Sequence, residues 1–130
     1  MAQVSTNSKT GLGRFVYQGV DFNAGNTDTP IKISTVSNTY RVSSMSITNA
    51  SQTLTTATIG LFTGAGGTGT LIADTAVTVA TATVGDVNSM QVLTGPTTIN
   101  TDATTLYIRV GTPEGAAATA DVIVDIMYLN

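Results

Sequence analysis

The 130-residue chain has no cysteine, no histidine and no tryptophan, and Glu114 is its only glutamate. Without thiols there is no disulfide, no thiolate nucleophile and no thiolate metal site. Without imidazole, the commonest general base at neutral pH and the commonest zinc ligand are both missing. Serine and threonine are abundant, but a hydroxyl nucleophile then lacks its usual base. Charge is scarce as well, at 10% of the residues against about 25% in an ordinary soluble domain. Lys9, Arg14, Lys32, Arg41 and Arg109 are the whole cationic inventory, scattered along a chain of net charge −3. That argues against a surface that tracks nucleic-acid phosphates. No apolar run approaches the roughly 18 residues of a membrane helix, and "MAQVSTNSKTGLG" lacks the apolar core of a secretory signal. The expectation is a protein made in the cytoplasm, or one whose processing the sequence does not show, with no membrane partner and no nucleic-acid partner.

What is present is threonine, the commonest residue, followed by alanine, valine and glycine, with serine adding further hydroxyls. Threonine is β-branched and favours strands, while its hydroxyl tolerates water. A surface solvated by hydroxyls can enter a contact at little desolvation cost, whereas burying a charge costs far more. At 130 residues, one domain can bury about two-thirds of its unfolded surface without a metal or disulfide.

The apolar residues follow a period of two. Phe15 and Tyr17 share one face, as do Ile31 and Ile33 with Lys32 opposite. Ala57, Ile59 and Leu61 alternate with Thr58, Gly60 and Phe62, and Leu106, Ile108 and Val110 alternate with Tyr107 and Arg109. Val77 with Val79, and Met90 with Val92, repeat the pattern. In "TYRVSSMSITN" the parity slips: Tyr40 and Val42 are even, Met45 and Ile47 odd. The two pairs share a face only if a β-bulge sits at Ser43 and Ser44. "ADVIVDIMYLN" is apolar on both faces, as expected of a central strand. The most helix-like segment, Leu71 to Val84, is dense in poor helix formers. About eight short strands separated by Gly, Pro, Asn and Asp turns predict an all-β, antiparallel β-sandwich of jelly-roll type. Residues 1–13, with only Val4 and Leu12 as sizeable apolar groups after Met1, read as a flexible N-terminal arm on a single domain of residues 14–130.

Four features invite a chemical reading. In "GLFTGAGGTGTLIAD", Gly64, Gly66 and Gly69 have the spacing G-x-G-x-x-G of a phosphate loop. Such a loop needs a helix after it, whose N-terminal amides hold the phosphate, and here strand sequence follows. Thr70 stands where a P-loop has lysine, and only Asp86 lies near the place of the ribose-binding acid. A hairpin is the better reading. "DFNAGNTD" places Asp21, Asn23, Gly25, Asn26 and Asp28 as in a calcium loop, but Lys32 stands where the bidentate glutamate belongs. These residues are also ordinary turn formers. Glu114 and Asp121 are a carboxylate pair without a catalytic signature, and Asn49 heads a glycosylation sequon, "NAS", that needs a secretory route. No catalytic residue, cofactor or small-molecule substrate is expected.

The stretches "ITNASQTLTTATIGLFTGAGGTGTLIAD" and "LYIRVGTPEGAAATADVIVDIMYL", with the polar arm before them, resemble segments of the head decoration (cement) proteins of tailed bacteriophages. The resemblance covers about half the chain and carries no catalytic residues. It implies a non-enzymatic virion protein on the capsid surface, a homo-oligomer, commonly a trimer, whose partner is the major capsid protein. Another head or tail component, or a carbohydrate-binding β-sandwich, would answer the same composition. The expected partner contacts are Val4, Lys9, Leu12 and Arg14 in the arm and at its junction. Gly64, Gly66 and Gly67 are expected to join them as a tip bare of bulky side chains.

Overall fold

The computed structural model describes residues 3–7, 12–33, 39–78, 89–91 and 100–129. Among the described residues are ten strands: β1 Gln3–Asn7, β2 Leu12–Asp21, β3 Thr27–Lys32, β4 Tyr40–Thr48, β5 Thr58–Gly64, β6 Thr68–Thr78, β7 Ser89–Gln91, β8 Asn100–Thr101, β9 Thr105–Val110 and β10 Thr119–Tyr128. They form two antiparallel sheets. The larger runs β1-β2-β10-β4-β7, with β8 also on β4; the smaller runs β3-β9-β5-β6. Leaving out β1 and the two-residue β8, each sheet has four strands. Consecutive strands β2 and β3 lie in opposite sheets, and each sheet mixes strands from both ends of the chain. This order is the double Greek key of a jelly roll; the antiparallel β-sandwich is what the alternation leads one to expect.

Inward faces supply the core. Phe15, Tyr40, Met45, Ile47, Val122, Val124 and Ile126 of the larger sheet meet Ile31, Ile59, Leu61, Leu106, Ile108 and Val110 of the smaller one, all with essentially no solvent exposure. Leu54 and Ala57, between β4 and β5, are buried in the same core. Leu71 to Thr78, the first part of the most helix-like segment, belongs to strand β6. Val79, Val92 and the rest of that segment lie outside the described residues.

The parity slip in β4 is resolved as the sequence requires. Asp125 pairs with Ser44 and Ile126 with Val42, so Ser43 is an extra residue on β4. Tyr40, Val42, Met45 and Ile47 are all buried. The Ser43 hydroxyl donates to the Asp125 carbonyl at 3.0 Å. A second bulge, which the apolar pattern does not signal, lies in β2. Ala120 pairs with Val20 but Val122 with Tyr17, leaving an extra residue at Gln18–Gly19. Gly19 has φ 76°, a conformation that favours glycine, and its N–H donates to the Asp121 carboxylate at 2.9 Å. The bulge restores Val20 and Phe22 to the core after Phe15.

The N-terminal segment departs from expectation. Gln3–Asn7 pairs residue for residue with Gly13–Tyr17 of β2. The expected boundary between arm and domain, after residue 13, therefore falls inside β2, which starts at Leu12. An edge strand needs backbone partners more than apolar side chains, so low hydrophobicity does not mark such a segment as free. Gln3 also crosses to the other sheet: its amide oxygen accepts the Lys32 N–H at 2.9 Å, and its amide nitrogen donates to the Lys32 carbonyl at 2.5 Å. Lys32 thus turns its backbone to the outer edge of β3. Pro30, two residues earlier, shares that direction, so its missing N–H takes no bond from the sheet.

Candidate functional site

The glycine stretch forms a hairpin, in which β5 and β6 are joined by the 3₁₀ turn Ala65–Gly67. Gly66, Gly67 and Gly69 have φ of 73°, 75° and 73°. Gly69 has no alternative. A Cβ there would collide with Thr63 Oγ1 and stand 2.9 Å from the Gly64 nitrogen. At Gly66 the space around the Cβ position is open, and only the backbone angle calls for glycine.

Successive amides in a turn of this kind make a concavity for an anion, and here the anion is internal. The Asp28 carboxylate accepts the Gly66 N–H with Oδ2 at 2.5 Å and pairs through Oδ1 with Arg109 Nη1 at 2.9 Å. Both side chains of the ion pair are largely buried. The Arg109 stem passes under Gly67, within van der Waals reach of a Cβ placed there. Asp28 on β3 and Arg109 on β9 are cross-strand neighbours. Three segments of the smaller sheet are thereby tied at one point, and the phosphate-like spacing is filled by the protein's own carboxylate.

The side chains of the calcium-like segment are likewise bonded within the protein. Asp21 Oδ1 accepts the Asn23 N–H at 2.8 Å, and Asn23 Oδ1 accepts the Gly115 N–H at 2.9 Å. Asn26 adopts φ 57° to close the turn. Among the described residues, no group of three or more His, Cys, Asp or Glu is placed to hold a metal.

Glu114 is a clamp. Its Oε1 accepts the Thr55 N–H at 2.7 Å and the Thr55 hydroxyl at 2.8 Å; its Oε2 accepts the N–H groups of Thr56 at 3.0 Å and Ala57 at 2.8 Å. Its own N–H donates to the Phe22 carbonyl at 2.9 Å. Partial burial disfavours the charge, but the three backbone N–H groups and the hydroxyl outweigh it and hold the carboxyl down to about 2. A carboxylate that low and that fully bonded is a poor proton donor or acceptor at neutral pH. Asp121, its suggested companion, accepts from Gly19 and, at 3.3 Å, from the Asn49 side chain. Asn49, head of the sequon, sits just past β4 with φ 56°.

The expected partner-contact residues fall into two places. Val4 lies in β1 opposite Val16, and Leu12 and Arg14 lie on β2. Lys9 lies outside the described residues. Gly64, Gly66 and Gly67 belong to the hairpin of the other sheet.

The outward face of β2 and β10 is built in rows. Leu12 pairs with Met127, Arg14 with Asp125, and Val16 with Ile123. Leu12 is 57% exposed and Met127 42%. Between the apolar rows Arg14 Nε meets Asp125 Oδ1 at 2.7 Å and Nη2 meets Oδ2 at 3.1 Å. The Ser44 hydroxyl donates to Asp125 Oδ2 at 3.2 Å. Met127 shares a face with Ile123 by parity, but its neighbour Leu12 stands at the other end of the chain and only the strand order joins them. No protein-family model, curated protein or solved structure matches the chain.

Proposed function

We propose that this protein is a non-enzymatic structural component of a phage virion. It decorates and stabilises a capsid through protein–protein contacts with the major capsid protein and with copies of itself. The observation that carries the reading is how the carboxylates are used. Glu114, Asp28, Asp125, Asp121 and Asp21 are each bonded to the protein's own backbone or side chains. Charge serves to hold a rigid sandwich, while hydroxyls, a glycine tip and an exposed apolar pair face outward. Such a surface can be covered by a neighbour at little desolvation cost. The jelly roll recurs in virion proteins and in lectins, so the fold supports this reading by analogy alone.

A cement opposes the outward pressure of packaged DNA by bridging neighbouring shell subunits, and about 800 Å² per partner is enough for a specific contact. The test is reconstitution. Undecorated expanded heads are mixed with the purified protein, and the release of their DNA is followed on heating. Decoration raises the release temperature; unchanged release with no bound protein would refute the reading.

A further inference from the structure

We infer that the outward face of β2 and β10 is a self-complementary surface on which a second copy of this chain packs about a two-fold axis. The proposal needs self-association from the preceding reading and adds the surface and its symmetry. The face consists of three rows running across the two strands: Leu12–Met127, Arg14–Asp125 and Val16–Ile123. Each row places one residue on β2 and one on β10.

A two-fold axis lying in the interface and running between β2 and β10, parallel to the strands, keeps every row at its level and exchanges the strands. Leu12 then lies over the partner's Met127, and Val16 over the partner's Ile123. Arg14 lies over the partner's Asp125, and Asp125 over the partner's Arg14. The two intramolecular ion pairs become one alternating square of four charges, flanked on both sides by apolar contacts. An axis at right angles to this, across the strands, would stack Arg14 on Arg14 and Asp125 on Asp125, which like-charge repulsion disfavours. The charge pattern therefore selects the axis.

Arg14 is free to take part, since its side chain is 60% exposed even while paired, whereas Asp125 is 23% exposed and fixed by Ser44. The adjoining strands β1 and β4 widen the face. Strands of 5, 10, 10 and 9 residues, about 4.8 Å apart at about 3.4 Å a residue, give roughly 550 Å². That is near the roughly 800 Å² per partner of a specific interface. The glycine hairpin, in the other sheet, stays free for a shell subunit.

The experiment is a charge exchange followed by sedimentation velocity over a concentration series, with circular dichroism to confirm folding. The unaltered protein sediments as a dimer. Arg14→Asp alone and Asp125→Arg alone each place like charges at the centre of the face, and each weakens the dimer at least about tenfold. Mixed together, the two variants regain it, because the carboxylate introduced on one chain then meets the guanidinium introduced on the other. A further variant, Leu12→Ser with Met127→Ser, keeps the charges and also favours the monomer. A monomer at every concentration, a trimer, or a mixture no more associated than its parts would overturn the proposal. Trimeric protein that still binds heads would leave capsid decoration standing, and dimeric protein that ignores them would remove decoration alone.

Discussion

Asp28 and Gly66 are 38 residues apart in sequence, and the Asp28 carboxylate accepts the Gly66 N–H while gripping Arg109 with its other oxygen. A glycine spacing that suggests a bound phosphate is thus satisfied from within. Replacing Asp28 by alanine strips the turn of its anion and leaves Arg109 largely buried without its partner. A loss of about 2–4 kcal/mol is expected in urea unfolding. The unaltered protein, titrated with ATP or NAD in a calorimeter, should release no binding heat; saturable heat at this site would contradict the assignment.

The hairpin glycines differ in what they tolerate. Gly69→Ala forces a Cβ against Thr63 and the Gly64 backbone at φ 73°. Gly66→Ala meets the angle alone, a cost of about 1–2 kcal/mol. Thermal unfolding should rank Gly69→Ala as clearly the more destabilised. Equal losses would mean that crowding at Gly69 is relieved by movement of the hairpin.

Stability should fall on the acid side because of Glu114. Its carboxyl is held at about 2, below its ordinary value of 4.5. The unfolded state therefore binds the proton first on acidification. The contribution is complete above about pH 5 and is lost as the pH falls towards 2. Glu114→Gln should flatten this acid limb of a urea-midpoint profile. Tyr40 acts in the opposite sense. Burial, then the charges of Asp102 and Tyr128, raise its phenol above the ordinary 10, and its hydroxyl donates to the Ala103 carbonyl at 2.6 Å. Its contribution is complete below about pH 10 and is lost as the pH climbs past it. Tyr40→Phe should soften the alkaline limb while leaving the acid one unchanged.

The bulge in β4 gives a sharper contrast. Ser43→Ala removes one hydroxyl contact and should cost under about 1 kcal/mol. Deleting Ser43 removes the extra residue, so Ser44 follows Val42 directly and Tyr40, Val42, Met45 and Ile47 share one face of a regular strand. That variant should keep its cooperative thermal transition, whereas deleting Ser46, which has a partner in Ile123, puts Met45 and Ile47 on opposite faces and should abolish it. Loss of the transition on deleting Ser43 would mean that the bulge itself is needed.

Some of this architecture is written in local patterns and some is not. The β4 bulge is legible because four large apolar residues, Tyr40, Val42, Met45 and Ile47, change parity within one strand. The strand Thr119–Tyr128 is legible as central because both its faces are apolar. The bulge at Gly19 is not, since Val16, Tyr17 and Val20 fit either phase until the pairing with β10 is known. Strand β1 escapes a reading by composition because an edge strand is held by backbone bonds, which composition does not report. Glu114 and Thr55 are 59 positions apart, and Arg109 and Asp28 are 81 apart. No local pattern marks such pairs. Leu12 and Arg14, expected at the junction of an arm, stand instead on a continuous sheet.

The proposed binding of this sandwich to other protein subunits on a phage shell is tested most directly by sedimenting the purified protein with expanded heads and measuring the bound copies at saturation. Saturable binding at a copy number fixed by the shell lattice is expected. Folded protein that stays in the supernatant at every concentration would contradict it.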